Sequence, residues 1–153
     1  MRRAIIPFTG DPIHFGHIDL ISRVAKEYDG VIVGFGVNAS KAPVFSLHER
    51  MDIAKHSLAH LPNVNVVAFD GMLADYAYEQ CMHVVEKGLR SPADFEYEKA
   101  LHRIGESQEL DIDTRMLLAK PEHEHLSSSS VKAIAQAQGM LGKYVPLFCQ
   151  AKA

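Results

Sequence analysis

Residues 4–20 read AIIPFTGDPIHFGHIDL, an apolar run followed by a polar loop and the start of an amphipathic helix. Apolar residues recur at helical spacing from Ile18 to Ala25, and residues 31–37 form a second run rich in branched apolar side chains. A strand, a helix and a strand in this order predict a β-α-β unit with parallel strands and a right-handed crossover. The polar loop is thereby expected at the carboxyl end of the first strand.

The same alternation continues along the chain and decides the predicted fold class. Further helices are predicted at 47–58, 72–79, 95–104 and 131–138, and further strands at 64–68, 83–85 and 115–119. Strands separated by helices imply a parallel sheet covered on both faces. We expect an α/β fold: a single domain spanning residues 1–153, with a doubly wound, five-stranded parallel sheet and helices on both faces.

Composition excludes several classes of protein. The chain has 153 residues, a formal net charge of −3 and 47% hydrophobic residues. It has no apolar run near the roughly 18 residues that span a bilayer, and residues 4–7 are too few for a signal-peptide core, so we expect a cytoplasmic protein without a membrane partner. The absence of a basic block argues against nucleic acid as a partner. The two cysteines, Cys81 and Cys149, form no CxxC pair.

Three more segments carry groups suited to phosphate at the same edge of the predicted sheet. Lys41 follows the second strand, Arg90 closes the stretch 87–90 after the fourth predicted strand, and the serines 127–130 open a helix after the fifth. Taken singly, each is more often a solvated charge or an N-cap. Because carboxyl ends of parallel strands and helix N-termini converge on anions, together they predict a phosphate site.

Two other patterns, for a dinucleotide site and for a metal site, are weaker. Residues 34–39 match the dinucleotide pattern GxGxxA, but Phe35 and Val37 continue a strand and Pro43 follows too soon for the required helix. His123-Glu124-His125 lacks a third ligand at metal-site spacing. A hydrolase has no support either, because the sequence has no GxSxG nucleophile elbow.

A resemblance adds to this reading. The stretch His14-Phe15-Gly16-His17 matches the HxGH signature of nucleotidylyltransferases. With DPIHFGHIDL, ASKAPVFSLHER, FDGMLADYA, KGLRSPADFEYE and LSSSSVKAIA, the chain resembles the bacterial phosphopantetheine adenylyltransferases from about residue 4 to residue 147. The resemblance implies a Rossmann-like nucleotidylyltransferase fold and transfer of the adenylyl group of ATP to 4′-phosphopantetheine, giving dephospho-coenzyme A and pyrophosphate.

Site residues carried over by position are implied by the resemblance alone. The catalytic set is His17, Lys41 and Arg90, and the acceptor set is Thr9, Lys41, Leu73 and Lys87. The ATP-binding set is Thr9, Gly10, His14, His17, Gly88, Leu89, Arg90, Glu98, His123, Glu124, His125, Leu126, Ser127, Ser128 and Ser129. The family also implies Mg²⁺ bound mainly through the ATP phosphates, no metal ligands from the protein, a homohexamer and feedback binding of coenzyme A.

Several positions depart from the family pattern and keep alternatives open. Where the family usually reads P-G-[ST]-F-D-P, residues 7–12 read PFTGDP, so Phe8 is expected to crowd the close backbone approach and Gly10 stands where phenylalanine is usual. His14 replaces a common threonine, Lys87 an arginine, and Gly105 and Glu106 stand where Asn and Arg are common. The alternatives are a related nucleotidylyltransferase with another phosphorylated acceptor, and a catalytically weak nucleotide- or coenzyme-binding regulator.

Overall fold

The computed structural model of the chain describes residues 1–37, 43–106 and 112–152. Its strands are β1 (Arg3–Phe8), β2 (Gly30–Gly36), β3 (Val64–Phe69), β4 (Val84–Leu89) and β5 (Asp113–Leu118). Its α-helices are α1 (Phe15–Ala25), α2 (Leu47–Ser57), α3 (Leu73–Glu79), α4 (Pro92–Glu106), α5 (Ser128–Gln136) and α6 (Leu147–Lys152), and a short 3-10 helix covers Pro121–His123.

All five strands lie in one parallel sheet with the order β3-β2-β1-β4-β5. The chain starts at the centre of the sheet, winds outward through β2 and β3, and then crosses β1 to wind outward again through β4 and β5. The predicted five-stranded, doubly wound sheet is confirmed.

The two faces of the sheet are covered by different helices. In β1, Ala4 and Ile6 point into a large core shared with α1, α2, α5 and the C-terminal segment. Ile5 points to the opposite face, where it packs in a smaller core with Ala77 of α3 and Val85 of β4. The alternation follows from the period of two along a strand, and both faces of β1 are buried because helices cover both. The expectation of helices on both faces is confirmed.

The fourth strand and the helix after it differ from the sequence prediction. The predicted loop 87–90 is wrong for its first three residues, because β4 continues through Lys87, Gly88 and Leu89, which pair in register with Met116, Leu117 and Leu118 of β5. These pairings keep Gly88 in the strand although glycine favours turns. The missing side chain of Gly88 makes room for Leu20 of α1.

Helix α4 begins earlier than predicted because its N-terminus is capped. Pro92 occupies the first helical position, and the Ser91 hydroxyl accepts a hydrogen bond from the Asp94 N–H at 3.2 Å. The short α6 was not predicted at all. No helix in the described ranges is long and apolar enough to cross a membrane.

Candidate active site

The reversal of strand order between β1 and β4 opens a crevice at the carboxyl edge of the sheet, the usual ligand position in such folds. Three segments meet there. The Ser128 hydroxyl donates to the Pro12 carbonyl at 2.9 Å, which ties the start of α5 to the loop after β1. Arg90, just after β4, donates from its guanidinium to the Leu126 carbonyl at 3.0 Å. The topology thus brings together three of the four segments that the sequence predicted as one phosphate site, and the fourth, around Lys41, lies outside the described residues.

Two histidines close the N-terminus of α1 as a reciprocal capping box. His14 is the N-cap, and its Nδ1 accepts the His17 N–H at 3.3 Å, while Nδ1 of His17 accepts the His14 N–H at 3.2 Å. The two rings stack with centroids 3.6 Å apart and an interplanar angle of 17°. A capping box normally needs a hydroxyl or carboxylate at each position. Here imidazole nitrogens accept both backbone N–H groups, so both rings are fixed at the helix N-terminus.

The same hydrogen bonds determine where each imidazole carries its proton. Burial, followed by the charges of Arg90 and His123, lowers the pKa of His14 to about 4. Burial, followed by His14 and Arg90, lowers the pKa of His17 well below its usual value. Both rings are therefore neutral at pH 7. Since Nδ1 accepts in each, the single proton resides on Nε2. His14 is 4% exposed and His17 is half-buried, and the reciprocal Nδ1 bonds fix both rings, so each Nε2–H is a preorganised neutral donor.

Arg90 supplies a permanent positive charge beside the histidines. Its backbone N–H donates to Asp94 Oδ2 at 2.9 Å, and its side chain also bonds the Leu126 carbonyl. The Arg90 side chain is 41% exposed, its Nε lies 3.4 Å from Asp94 Oδ2, and its charge lowers the pKa of both neighbouring histidines. A cation, two neutral N–H donors and the positive end of α1 together suit an anion.

The loop after β1 is held by the buried carboxylate of Asp11, to which the sequence analysis assigned no role. Asp11 is 3% exposed and accepts the N–H groups of Val44 and Phe45, each at 3.0 Å, and the Lys132 ammonium at 2.7 Å. Burial raises the pKa of Asp11, but the Lys132 ammonium and the two N–H groups outweigh it and hold that pKa below its usual value. Asp11 thereby joins the loop to α5 and to the segment before α2.

A buried arginine also supports this loop. Arg50 of α2 is 4% exposed and donates to the Thr9 carbonyl at 2.9 Å and to the Phe45 carbonyl at 3.1 Å. Thr9 itself is exposed, and Gly10 follows with φ +52°, in the left-handed region that glycine tolerates. The Thr9 carbonyl is thus fixed while its side chain stays accessible.

Lys87 and Glu98, predicted for different substrates, are partners in the structure. The Lys87 ammonium donates to the Glu98 carboxylate, and both side chains are less than one-fifth exposed, at 16% and 18%. Strand alternation puts Lys87 on the face of Val85, where Leu73, the first residue of α3, packs on the smaller core. Two members of the predicted acceptor set therefore share the α3 and α4 side of the sheet, and Glu98 lies there with them.

The serine run divides into different roles. Ser127 caps α5 by accepting the Ser130 N–H at 3.0 Å, and Ser128 bonds the Pro12 carbonyl, while Ser129 is exposed. His123 lies close to the His14 end of the site, since a side chain added at Gly16 would meet its Cβ at 3.5 Å. Glu124 and His125 are exposed.

The structure does not place three of the residues singled out by the sequence at the crevice. Lys41 lies outside the described residues, and Gly105 and Glu106 end α4. Within the described ranges, no group of three or more His, Cys, Asp or Glu side chains is arranged to hold a metal ion. The assignment of each residue to a substrate stays a prediction.

Comparisons with known proteins identify the family of the chain. The Cytidylyltransferase-like family model matches residues 9–134. A phosphopantetheine adenylyltransferase of Caldanaerobacter subterraneus subsp. tengcongensis is 41% identical over 146 residues, covering 95% of this chain and 91% of its own. The chain belongs to the phosphopantetheine adenylyltransferase family. Relatives of the same name from Symbiobacterium thermophilum and Shouchella clausii are each 39% identical, covering 88% and 95% of this chain and 83% and 92% of their own.

Solved structures support the fold alone. A nicotinate-nucleotide adenylyltransferase candidate from Vibrio parahaemolyticus superposes with a TM-score of 0.73 at 14% identity, over 99% of this chain and 91% of that one. A lipopolysaccharide core biosynthesis protein of Thermoplasma volcanium gives 0.52 at 18% identity, over 78% and 97%. The nucleotidylyltransferase fold predicted from the sequence is confirmed.

Membership of the phosphopantetheine adenylyltransferase family gives the departure at His14 a physical meaning. A threonine at the N-cap would accept the His17 N–H through its hydroxyl, which is the usual capping bond. His14 makes the same bond through Nδ1 and adds a ring that stacks on His17. The substitution therefore keeps the cap and changes only what lies against the second histidine.

Proposed function

We propose that this chain transfers the adenylyl group of ATP to 4′-phosphopantetheine, producing dephospho-coenzyme A and pyrophosphate. Its family membership and one observation carry the proposal. Two neutral imidazoles are fixed at the N-terminus of α1 beside the Arg90 guanidinium, in the crevice where the strand order reverses. These are donors and charge suited to a phosphate chain, and the site needs no protein nucleophile.

The reaction is an in-line displacement at phosphorus. A phosphate oxygen of 4′-phosphopantetheine attacks the α-phosphorus of ATP, the bond from that phosphorus to the α,β-bridging oxygen breaks, and pyrophosphate leaves with the electron pair. Negative charge crowds on the α-phosphate oxygens in the transition state, so catalysis is positioning and charge stabilisation. His17 donates its Nε2–H to an α-phosphate oxygen, and Arg90 and the α1 N-terminus neutralise charge on the phosphate chain.

The two substrates are proposed to approach from different sides. The acceptor phosphate is held by Lys41 and by Lys87, with Leu73 beside the pantetheine arm. Thr9 touches phosphates of both substrates. The ATP set is the one implied by the family, in which the segment 123–129 and the residues around Arg90 bind the nucleotide.

Mg²⁺ is proposed to enter with ATP. The described residues offer no carboxylate cluster that fits a protein-bound ion, so its ligands would be phosphate oxygens and water. The ion would offset charge on the triphosphate when bound. No step assigned above to a side chain depends on it.

A second candidate, transfer to another phosphorylated acceptor, is favoured by one observation. Lys87 is bound by Glu98, so its charge toward an acceptor phosphate is partly neutralised. A lysine also lacks the planar fork by which an arginine grips phosphate in two places. Both facts concern Lys87, a member of the predicted acceptor set, although its partner Glu98 belongs to the predicted ATP set.

One assay separates these candidates. The chain is incubated with ATP, Mg²⁺ and a panel containing 4′-phosphopantetheine, pantetheine, nicotinate mononucleotide and glycerol 3-phosphate, and pyrophosphate release is followed. We expect release with 4′-phosphopantetheine and none with pantetheine, which lacks the attacking phosphate. Release only with another phosphorylated acceptor would establish the second candidate. ATP or coenzyme A binding by calorimetry without release in any reaction would instead identify a regulator.

The homohexamer, the feedback binding of coenzyme A and the cytoplasmic location also remain proposals. Support for self-association comes from α4, which exposes three large apolar side chains at helical spacing on one face, Tyr97, Leu101 and Ile104, at 65%, 39% and 57%. An exposed apolar patch of this kind is typical of an interface. Sedimentation velocity at micromolar concentration tests it: we expect an assembly larger than a dimer, and a monomer would refute it.

A further inference from the structure

The aromatic ring at the end of β1 touches the imidazole that the proposed mechanism uses. The Phe8 ring meets the His17 ring edge to face, with centroids 4.6 Å apart and an interplanar angle of 84°. It also meets Phe35 of β2 edge to face at 5.2 Å and 88°. His17 thus has two ring neighbours, Phe8 at nearly a right angle and His14 in a parallel stack.

The Phe8 ring lies directly against the backbone of Gly10. A Cβ added at Gly10 would lie 2.9 and 3.0 Å from Cδ1 and Cζ of Phe8, and nearer still to Cε1, which is closer than real Cβ contacts. The ring therefore fills the volume in which a side chain at position 10 would lie. The Phe8 ring thus packs against Phe35, the backbone of Gly10 and His17.

A single hydrogen bond does not fix the plane of an imidazole. The bond from the His14 N–H to Nδ1 holds one ring atom of His17 at 3.2 Å, and the ring can still tilt about that atom. Stacking on His14 limits the tilt of the His17 ring toward His14, and the perpendicular Phe8 ring limits its tilt in the other directions. A donor aimed at a transition-state oxygen depends on such support, because small misplacements cost large factors in rate.

We infer that Phe8 is a positioning residue, which holds the plane of the His17 imidazole so that its Nε2–H meets the transferred phosphate. The inference rests on the proposed role of His17. Phe8, which the sequence analysis expected to crowd the close backbone approach, packs on Gly10 and on the His17 ring.

The kinetic test compares two like substitutions. Phe8→Leu removes the flat ring edge and keeps an apolar side chain. Phe69→Leu makes the same change in β3, at a residue that is 9% exposed and stacks on Tyr76 at 5.3 Å. We expect Phe8→Leu to lower kcat about ten-fold, with the KM for ATP within about two-fold of the parent. Phe69→Leu is expected to cost stability and leave kcat near the parent value. Equal kcat losses in both, or no loss in Phe8→Leu, would overturn the inference.

A spectroscopic readout is independent of turnover. In the parent, the His17 side-chain nitrogens are expected to give the NMR pattern of one tautomer with the proton on Nε2. Phe8→Leu is expected to shift the pattern toward a tautomer mixture as the Nδ1 bond loosens. An unchanged pattern would overturn the inference even if the parent itself proved inactive, so its failure is distinct from failure of the proposed function.

A second variant covers the case in which Phe8→Leu does not fold. Phe8→Met supplies a longer, adaptable apolar chain that fills the same space without a ring edge. We expect the same loss of kcat and the same tautomer mixing. A folded Phe8→Met chain with parental kcat would overturn the inference.

Discussion

Lys132→Met is expected to weaken the attachment of the loop after β1 to helix α5 at neutral pH. The change removes the ammonium that lies 2.7 Å from Asp11 Oδ2 and keeps most of the apolar length of the side chain. Asp11 is 3% exposed, so the carboxylate left behind has little access to water. It still accepts the N–H groups of Val44 and Phe45.

The magnitude follows from these contacts. Removing one partner of a fully buried ion pair costs about 3–5 kcal/mol. Here Lys132 is 31% exposed and two N–H donors remain, so we expect a loss of about 2 kcal/mol in the free energy of unfolding. For a chain of this length, that corresponds to a fall of about 4–8 °C in the melting temperature.

The pH dependence distinguishes this loss from an ordinary packing defect. In the parent, the lowered pKa of Asp11 contributes stability above the unfolded pKa that is lost as the pH falls through the folded pKa. Without Lys132 the folded pKa rises, so Asp11 in the variant takes up its proton at a higher pH and no longer carries an unpaired buried charge. The gap in melting temperature between parent and variant is therefore expected to narrow between pH 7 and about pH 4.

Thermal unfolding at several pH values is the assay, with Lys143→Met as the control at an exposed position of the same C-terminal region. We expect Lys143→Met to stay within about 0.5 kcal/mol of the parent at every pH. Refutation would be a Lys132→Met chain as stable as this control at pH 7, or a gap that does not change with pH. Either result would mean that the ion pair does not hold the loop.

Three further predictions concern other residues of the predicted site and its supporting helix caps. Lys41→Ala is expected to raise the KM for 4′-phosphopantetheine several-fold while calorimetric ATP affinity changes little, and the opposite split would assign Lys41 to ATP. Ser127→Ala is expected to cost about 1 kcal/mol in chemical denaturation, because α5 loses its cap, whereas Ser129→Ala at an exposed position costs less. For His14, the folded pKa of about 4 lies below the unfolded value, so the unfolded chain binds the extra proton between those values and stability falls as the pH drops through that window. His14→Thr is expected to flatten this fall in melting curves recorded between about pH 7 and pH 4.5, and an equally steep fall would show that His14 is not its source.

The spacing of apolar residues predicted the sheet, because this spacing depends on which side chains each single strand or helix buries. The branched run at 31–37 and the helical spacing from Ile18 to Ala25 reflect which side chains each element buries, and β2 and α1 appear at those places. The end of β4 was misplaced for a different reason. Lys87 and Gly88 are poor strand formers, and only the pairing with β5, which no local pattern reveals, extends the strand through them.

The sequence predicted which loops form the candidate site, but it did not predict the ion pairs that join them. The order of strands brings the loop after β1 beside Arg90, and the position of each loop after a strand was enough to expect that meeting. The partnership of Asp11 with Lys132, and of Lys87 with Glu98, joins residues on different elements. A signal existed for Asp11, since an Asp-Pro loop at the carboxyl edge of a sheet brings its carboxylate near helix N-termini, but the lysine could not be chosen without the packing of α5.

The most direct measurement of the central claim, that His17 stabilises the transferred phosphate, is the turnover of His17→Ala with saturating ATP and 4′-phosphopantetheine beside its calorimetric affinity for ATP. A preorganised donor that acts in the transition state contributes about 10²–10³ in kcat. We expect His17→Ala to lose that factor with ATP affinity within a few-fold of the parent, and His14→Thr, which keeps a capping oxygen, to lose much less. If His17→Ala instead loses ATP binding and turns over at the parental kcat once saturated, His17 binds the ground state and the proposed mechanism is wrong.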